Sequence, residues 1–389
     1  MRFLAKIILL SLFALSCQQN DTYKTENISV AQNQDEIPEK LPLVEDTEIK
    51  NIILMIGDGT GLAQISSGQI ALVGPDGMLH MQTLPVAGFV KTHSSDNLIT
   101  DSASGATAYS CGIKTYNGAI AVNPDVEVCK TILELAEEAG LSTGLVATSS
   151  ITHATPASFA AHVEQRSMEE EIAYDFLDSG VEVFLGGGME FFSADTRSDS
   201  LDLLSEFQNE GYQLLVNDNE LNTADNSKLL GLFANGGFER TEGEPSTTMM
   251  TKKAIEVLSM NEEGFFLMVE GSQIDWGGHG NDSDYVINEV QDFDDAVKAA
   301  LDFAQQDGET LVIVTADHET GGMTLQRQTA EGDSLEIFWT SGYHTGVPVP
   351  IAAYGPYATE FMGWQDNTEV GQKMSELLGV GSLPIYLEK

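Results

Sequence analysis

The chain has 389 residues, with Lys plus Arg at 18 against Asp plus Glu at 60, a formal net charge of −42. So large an acidic excess excludes nucleic acid and an anionic membrane face as electrostatic partners, and it suits plain surface solubility or a salty, cation-rich medium equally well. Hydrophobic residues make up 42%, enough for one large buried core or two smaller ones.

In chain order the first feature is an export-type leader. Arg2 and Lys6 form its positive end, residues 7–15 are apolar but too short to span a bilayer, and Ala14-Leu15-Ser16-Cys17 follows. A cysteine directly after such a core resembles a bacterial lipoprotein signal, with Leu15 one place later than the common leucine. Residues 1–17 are therefore expected to be a leader with a lipidated Cys17. The protein would then be periplasmic or anchored in the outer membrane of a Gram-negative-type bacterium, with plain secretion as the alternative. Residues 18–48 are rich in Asn, Gln, Glu and Asp without hydrophobic periodicity and read as a flexible tether. Residues 49–389 are left as the folded body.

Asn51-Ile-Ile-Leu-Met-Ile56 is a continuous apolar run closed by Gly57-Asp58-Gly59, the pattern of a strand buried on both faces and ended by a tight turn. Residues 145–148, 181–185, 264–269, 310–315 and 350–354 repeat it, with helical periodicity between them at 129–139, 168–179, 247–259 and 285–304. Thr100-Asp-Ser102-Ala-Ser-Gly-Ala-Thr passes from turn residues into small helix formers, so a helix is expected to begin at Ser102. A hydroxyl there meets unpaired backbone N–H groups and the positive end of the helix dipole. That place suits a nucleophile receiving a dianionic group, and it suits an ordinary N-cap. Thr155-Pro156 is expected to open another helix, Thr155 as its cap, with Arg166 about three turns on. Strand alternating with helix implies an α/β sandwich with a mostly parallel sheet. Beyond Cys17 only Cys111 and Cys129 remain. An oxidising compartment permits a bridge between them, but the small neighbours of Cys111 favour a buried free thiol.

In such sheets ligands bind beyond the carboxyl ends of the strands. The chemistry-bearing residues gather there: Asp58, then Glu270 and Asp275-Trp276-Gly-Gly-His279, then Asp317-His318, then His344-Thr-Gly. Three of the seven histidines fall in or beside these Gly-rich turns, each near a carboxylate or another turn residue. Histidine with carboxylate is the ligand set of zinc in hydrolases. An arginine aimed into such a site, as Arg166 would be, binds phosphate bidentately.

These motifs, with Lys114-Thr-Tyr-Asn-Gly118, His153-Ala-Thr155-Pro and Ile351-Ala-Ala-Tyr-Gly-Pro356, resemble the alkaline phosphatase family, most of all its compact, exported bacterial branch. The resemblance runs from about residue 50 to the C-terminus. It implies a three-layer sandwich with helices on both faces of the sheet. Only 26 positions separate His318 from His344, so the crown-like insertion of larger relatives is expected to be much reduced. It further implies hydrolysis of phosphate monoesters through a phosphoserine on Ser102, with Arg166 clamping the phosphate, and two Zn2+ and one Mg2+ per chain. Asp275, His279 and His344 match one zinc site. Asp58, Asp317 and His318 match the second, with Ser102 as a further ligand. Asp58, Thr155 and Glu270 match the magnesium site, with Asp58 bridging. A homodimer is implied by the family alone.

Two positions depart from the best-known enterobacterial-type enzyme, which has Asp and Lys where this chain has His153 and Trp276. An indole cannot hold phosphate through a charge-assisted contact. Weaker binding of product phosphate is expected, with His153 altering selectivity at the third metal site; Trp276 is also compatible with mere packing on a turn. The competing functions are a phosphodiesterase or sulfatase of the same superfamily and a non-catalytic phosphate-binding lipoprotein. The sulfatase signature around a modified cysteine is absent.

Overall fold

The computed structural model describes residues 24–34, 37–329 and 332–387. The expected leader and Cys17 lie outside the described residues. The middle layer is a ten-stranded sheet, running across from Gly363–Asp366 through Val86–Lys91, Val349–Tyr354, Thr310–Thr315, Asn51–Gly57, Phe265–Gly271, Ser142–Ser150, Val183–Gly187 and Leu229–Leu232 to Gln213–Leu215. All neighbours pair in parallel except Val349–Tyr354, which opposes both of its neighbours.

The central strand explains why the fold has three layers. Residues 52–56 are all wholly buried, and their side chains alternate between two separate cores. Ile52, Leu54 and Ile56 share one core with Ala103, Ala106 and Tyr109 of the helix Ser102–Cys111. Ile53 and Met55 share the other with Val290, Phe293 and Val297 of the helix Ser283–Asp307. That long helix buries Val286, Val290, Phe293, Val297 and Ala304, one stripe at helical spacing, while its remaining faces carry acids. Truncating a residue such as Leu54 to alanine costs about 2–5 kcal/mol.

Every expected strand is present: 181–185 is displaced by two residues to Val183–Gly187, 264–269 by one at its start to Phe265–Gly271, Thr310–Thr315 is unchanged, and the others are longer by one to five residues. The expected helix at 129–139 begins later, at Ile132. Thr131 accepts the Glu134 N–H and closes a capping box, while Cys129 pairs with Tyr386 as an isolated bridge. Thr155 is not a cap: His153 holds that position for the helix Ala154–Ala160. The helix stops at Ala160, so Arg166 stands on an irregular segment whose backbone N–H donates to Gly118 O at 2.8 Å. The interval from His318 to His344 contains the antiparallel strands Met323–Gln328 and Ser334–Trp339.

The tether expected over residues 18–48 needs correction. Lys24–Ser29 is a strand, paired antiparallel with Ser334–Trp339 in a separate three-stranded sheet. Ile28, the one large apolar residue of that stretch, is buried. Cys111 and Cys129 are both free and buried, the Cys111 thiol facing Cys129 O at 3.4 Å. No helix among the described residues is long and apolar enough to cross a membrane.

Candidate active site

Strand ends on one edge of the sheet carry the polar residues into a single cleft of about 320 Å³, lined by Ser102, Arg166, Asp275, Trp276, Tyr343 and His344 among others. Ser102 is the first residue of its helix. Asp101, not Ser102, provides the cap, accepting the Ser104 N–H at 3.1 Å. The Ser102 hydroxyl is thereby left to the cleft. Its Oγ lies 3.3 Å from His318 Nε2 and 3.5 Å from Arg166 Nη1. Arg166 is fixed from two sides: Nη1 donates to Asp101 Oδ2 and Nη2 to His153 Nε2, each at 3.1 Å. Burial, and then the Arg166 charge, push His153 down to about 3, so it stays neutral and can accept that bond.

Two clusters of ligand-type side chains flank Ser102. The first forms the rim. Asp275 and His279, one turn apart on the helix Gln273–Gly280, meet His344 with His279 Nε2 3.4 Å from Asp275 Oδ2 and 3.2 Å from His344 Nε2. Both imidazoles are oriented from behind. His279 Nδ1 faces Gly342 O and His344 Nδ1 faces Thr100 O, each at 2.9 Å. A carbonyl only accepts, so Nδ1 carries the proton and the Nε2 lone pairs point at one another. The second cluster forms the floor. Asp58, Asp317 and His318 are wholly buried, with His318 Nε2 3.5 Å from Asp58 Oδ1 and 3.2 Å from Asp317 Oδ2. A third grouping brings Asp58 and Glu270 together with His153.

The floor is short of partners. Both Asp58 oxygens, Asp317 Oδ2, Glu270 Oε1, His153 Nδ1 and Thr155 Oγ1 are buried without a hydrogen bond. Burial, then Asp317, Asp275 and Glu270, hold Asp58 well above the usual carboxylate range. Burial raises Glu270 to about 7 against its Ser272 hydrogen bond, and burial pushes His318 well below the usual imidazole range. Unpaired buried carboxylates are costly unless a cation joins them. Oxygen and imidazole donors so placed fit divalent metal ions.

All twelve residues singled out from the sequence therefore meet at one edge of the sheet. Trp276 both packs and lines the cleft: its ring lies against Gly237, where a Cβ would stand 2.2 Å away, and edge-on to His153 at 6.4 Å. Three contributors were not assigned a role from the sequence. Asp101 anchors Arg166, and its signal was its place before Ser102 at a helix start. Thr320 Oγ1 donates to Asp275 Oδ1 at 2.5 Å and faces His318 Nδ1 at 3.2 Å, joining rim to floor, with no sequence signal. Tyr343 stacks on His344 with ring centroids 4.5 Å apart.

The alkaline phosphatase family profile matches residues 49–336 and 331–380. Alkaline phosphatase 3 of Bacillus subtilis is 38% identical, over 85% of this chain and 89% of its own length. The alkaline phosphatase of the Antarctic bacterium TAB5 is 42% identical and superposes with a TM-score of 0.78 over 86% of this chain and 99% of that one. A His-to-Asp variant of the TAB5 enzyme, described with Mg bound in the M3 site, is 41% identical over the same shares, also at a TM-score of 0.78. With its fold, its metal-binding cleft and these relatives in agreement, the chain belongs to the alkaline phosphatase family, the hydrolases of phosphate monoesters.

Proposed function

We propose that phosphate monoester hydrolysis in this chain proceeds through a phosphoserine on Ser102. The observation that carries the reading is the Ser102 hydroxyl itself, free of capping duty at a helix N-terminus, 3.3 Å from His318 Nε2 and 3.5 Å from Arg166. Ser102 Oγ attacks phosphorus and the bond to the leaving oxygen breaks, releasing the alcohol. Water then attacks the phosphoserine, inorganic phosphate departs and the serine is restored. Arg166, held by Asp101 and His153, presents its guanidinium to the non-bridging oxygens. The helix N-terminus adds backbone N–H groups where negative charge gathers.

Asp275, His279 and His344 would hold one zinc ion, Asp58, Asp317 and His318 a second, and Asp58, Thr155 and Glu270 a magnesium ion. Bound there, the metals would supply Lewis-acid activation of the serine hydroxyl and of water, and charge neutralisation on the leaving oxygen. The unpaired Thr155 hydroxyl and Glu270 Oε1 support the third position. His153, held beside it by Arg166, alters selectivity at that position. Export, a lipid anchor at Cys17 and a homodimer complete the proposal, the first two supported by the leader sequence and the last by family resemblance.

The test is p-nitrophenyl phosphate hydrolysis at alkaline pH, before chelation, after it, and after zinc and magnesium are returned, with Ser102→Ala alongside. Activity is expected to vanish with chelator, return with metal and fall by at least about 10³-fold in the variant. A fully metallated, folded protein that favours a phosphodiester, or binds phosphate without turnover, contradicts the reading.

A further inference from the structure

The rim residues come from two separate segments of the chain, and a strand outside the family match contacts both. Asp275 and His279 stand on the helix Gln273–Gly280, which turns at Asn281 into the helix Ser283–Asp307. His344 follows the strand Ser334–Trp339. Lys24–Ser29 pairs along that strand, with Lys24 opposite Trp339 and Glu26 opposite Ile337. From it, Lys24 Nζ donates to Asn281 O at 2.6 Å. Glu26 then joins the two segments through a single oxygen. Its Oε2 accepts the Ser283 N–H at 2.8 Å and the Ser283 hydroxyl at 2.6 Å on one side, and the Trp339 indole N–H at 3.2 Å on the other.

Each contact leads on to a ligand. Trp339 is buried against Gly321, whose N–H donates to Tyr343 O at 3.0 Å, one residue before His344. Asn281 Nδ2 donates to Ser341 O at 3.1 Å, and His279 faces the neighbouring Gly342 O. The carboxylate also sits where a 25-residue helix presents unpaired N–H groups and its positive end.

Resting on the metal reading above, we propose that Glu26 is a positioning residue for the rim site. It locks the loop after Gln273–Gly280 to the loop before His344, and so sets the spacing of His279 and His344. Partners that hydrogen-bond a metal ligand directly typically change metal affinity by about 10–100-fold when lost, and Glu26, acting through Ser283 and Trp339, is expected at the low end of that range.

The experiment follows zinc release from the full-length, zinc-loaded protein into excess chelator, read with a zinc-sensitive dye, alongside thermal unfolding of the metal-free form. The wild type should release zinc in a fast phase from the rim and a slow phase from the floor. Glu26→Ala is expected to speed the fast phase about tenfold and leave the slow phase within about twofold. Glu26→Gln, which keeps an accepting oxygen, should recover much of the difference. Asn27→Ala, exposed on the same strand, should change neither phase. Unchanged release in Glu26→Ala overturns the proposal. So does an equal acceleration of both phases with a falling unfolding temperature, because that marks a purely structural role. A wild type that takes up no zinc contradicts the underlying metal reading, and this is seen before any variant is compared.

Discussion

Rim and floor lie on either side of the same serine, yet they are built on opposite principles. The rim has one carboxylate to two imidazoles, each imidazole tied by a backbone carbonyl, with the His279 side chain 35% exposed. Its imidazoles are oriented by backbone carbonyls, and it meets solvent through His279 while Asp275 and His344 are buried. The floor gathers Asp58 and Asp317 with His318, and Asp58 again with Glu270 and His153; its three carboxylates are wholly buried, with several of their oxygens lacking a hydrogen bond. Arg166 is the fixed cation beside it, and Asp101 already engages that guanidinium. The difference teaches that metal, on the proposed reading, would serve the two places differently. At the rim it would support chemistry; at the floor it would also relieve a charge conflict that the fold has buried.

Removing one floor acid should separate these roles most sharply. Asp58→Asn is expected to lower kcat/KM by roughly 10³-fold or more, because Asp58 belongs to two of the three ligand groupings. The same change should stabilise the metal-free protein at pH 8, because it removes an acid whose ionisation the buried site opposes. The sign follows from the raised carboxyls. Glu270 titrates near 7 in the folded, metal-free chain and near its ordinary value when unfolded. Its ionised form is thus a penalty that is absent at pH 4 and grows as pH rises to about 7, reaching on the order of 3 kcal/mol. Chemical denaturation of metal-free wild type at pH 5 and pH 8 should show the loss, and Asp58→Asn should flatten it. A metal-free wild type equally stable at both pH values would break the comparison.

The matching change at the rim should act on chemistry alone. His279→Ala is expected to lower kcat by about 10²-fold, with partial recovery at high zinc, while stability of the metal-free protein moves by less than about 0.5 kcal/mol. Trp276→Lys is a smaller change beside His153. It restores a charged donor at the cleft, so the inhibition constant of inorganic phosphate should fall about tenfold; unaltered inhibition would leave Trp276 a packing residue. The smallest effect concerns the whole surface. With a net charge of −42 repelling an anionic substrate, kcat/KM should rise about twofold between low and moderate salt with metals saturating. A monotonic fall would show that the local cationic field already outweighs the body.

What could be read from the sequence follows the same physical lines. Asn51–Gly57 and its sheet neighbours were legible because strands buried on both faces must be apolar throughout. Gly363–Asp366 was not, since an edge strand carries exposed Trp364 and two polar residues and gains its conformation from Val86–Lys91. Gln213–Leu215 and Leu229–Leu232 are too short for a period to emerge. Lys24–Ser29 looked like tether because five of its six residues are polar or charged, and its strand is specified by a partner some three hundred positions away. The site residues were legible as types: few histidines, acids after apolar runs, a serine at a helix start. Of their supports only Asp101 carried a signal, its place before Ser102 at a helix start. Thr320 and Glu26 act through contacts that only the folded chain assembles.

The most direct measurement is a zinc titration of the metal-free protein that follows unfolding temperature and p-nitrophenyl phosphate hydrolysis in the same samples. Unfolding temperature should rise first, as the floor fills and its acids are neutralised, and hydrolysis should appear only as further zinc occupies the rim. Hydrolysis that precedes the stabilisation, or the two rising strictly together, would contradict a floor that serves the fold and a rim that serves the chemistry.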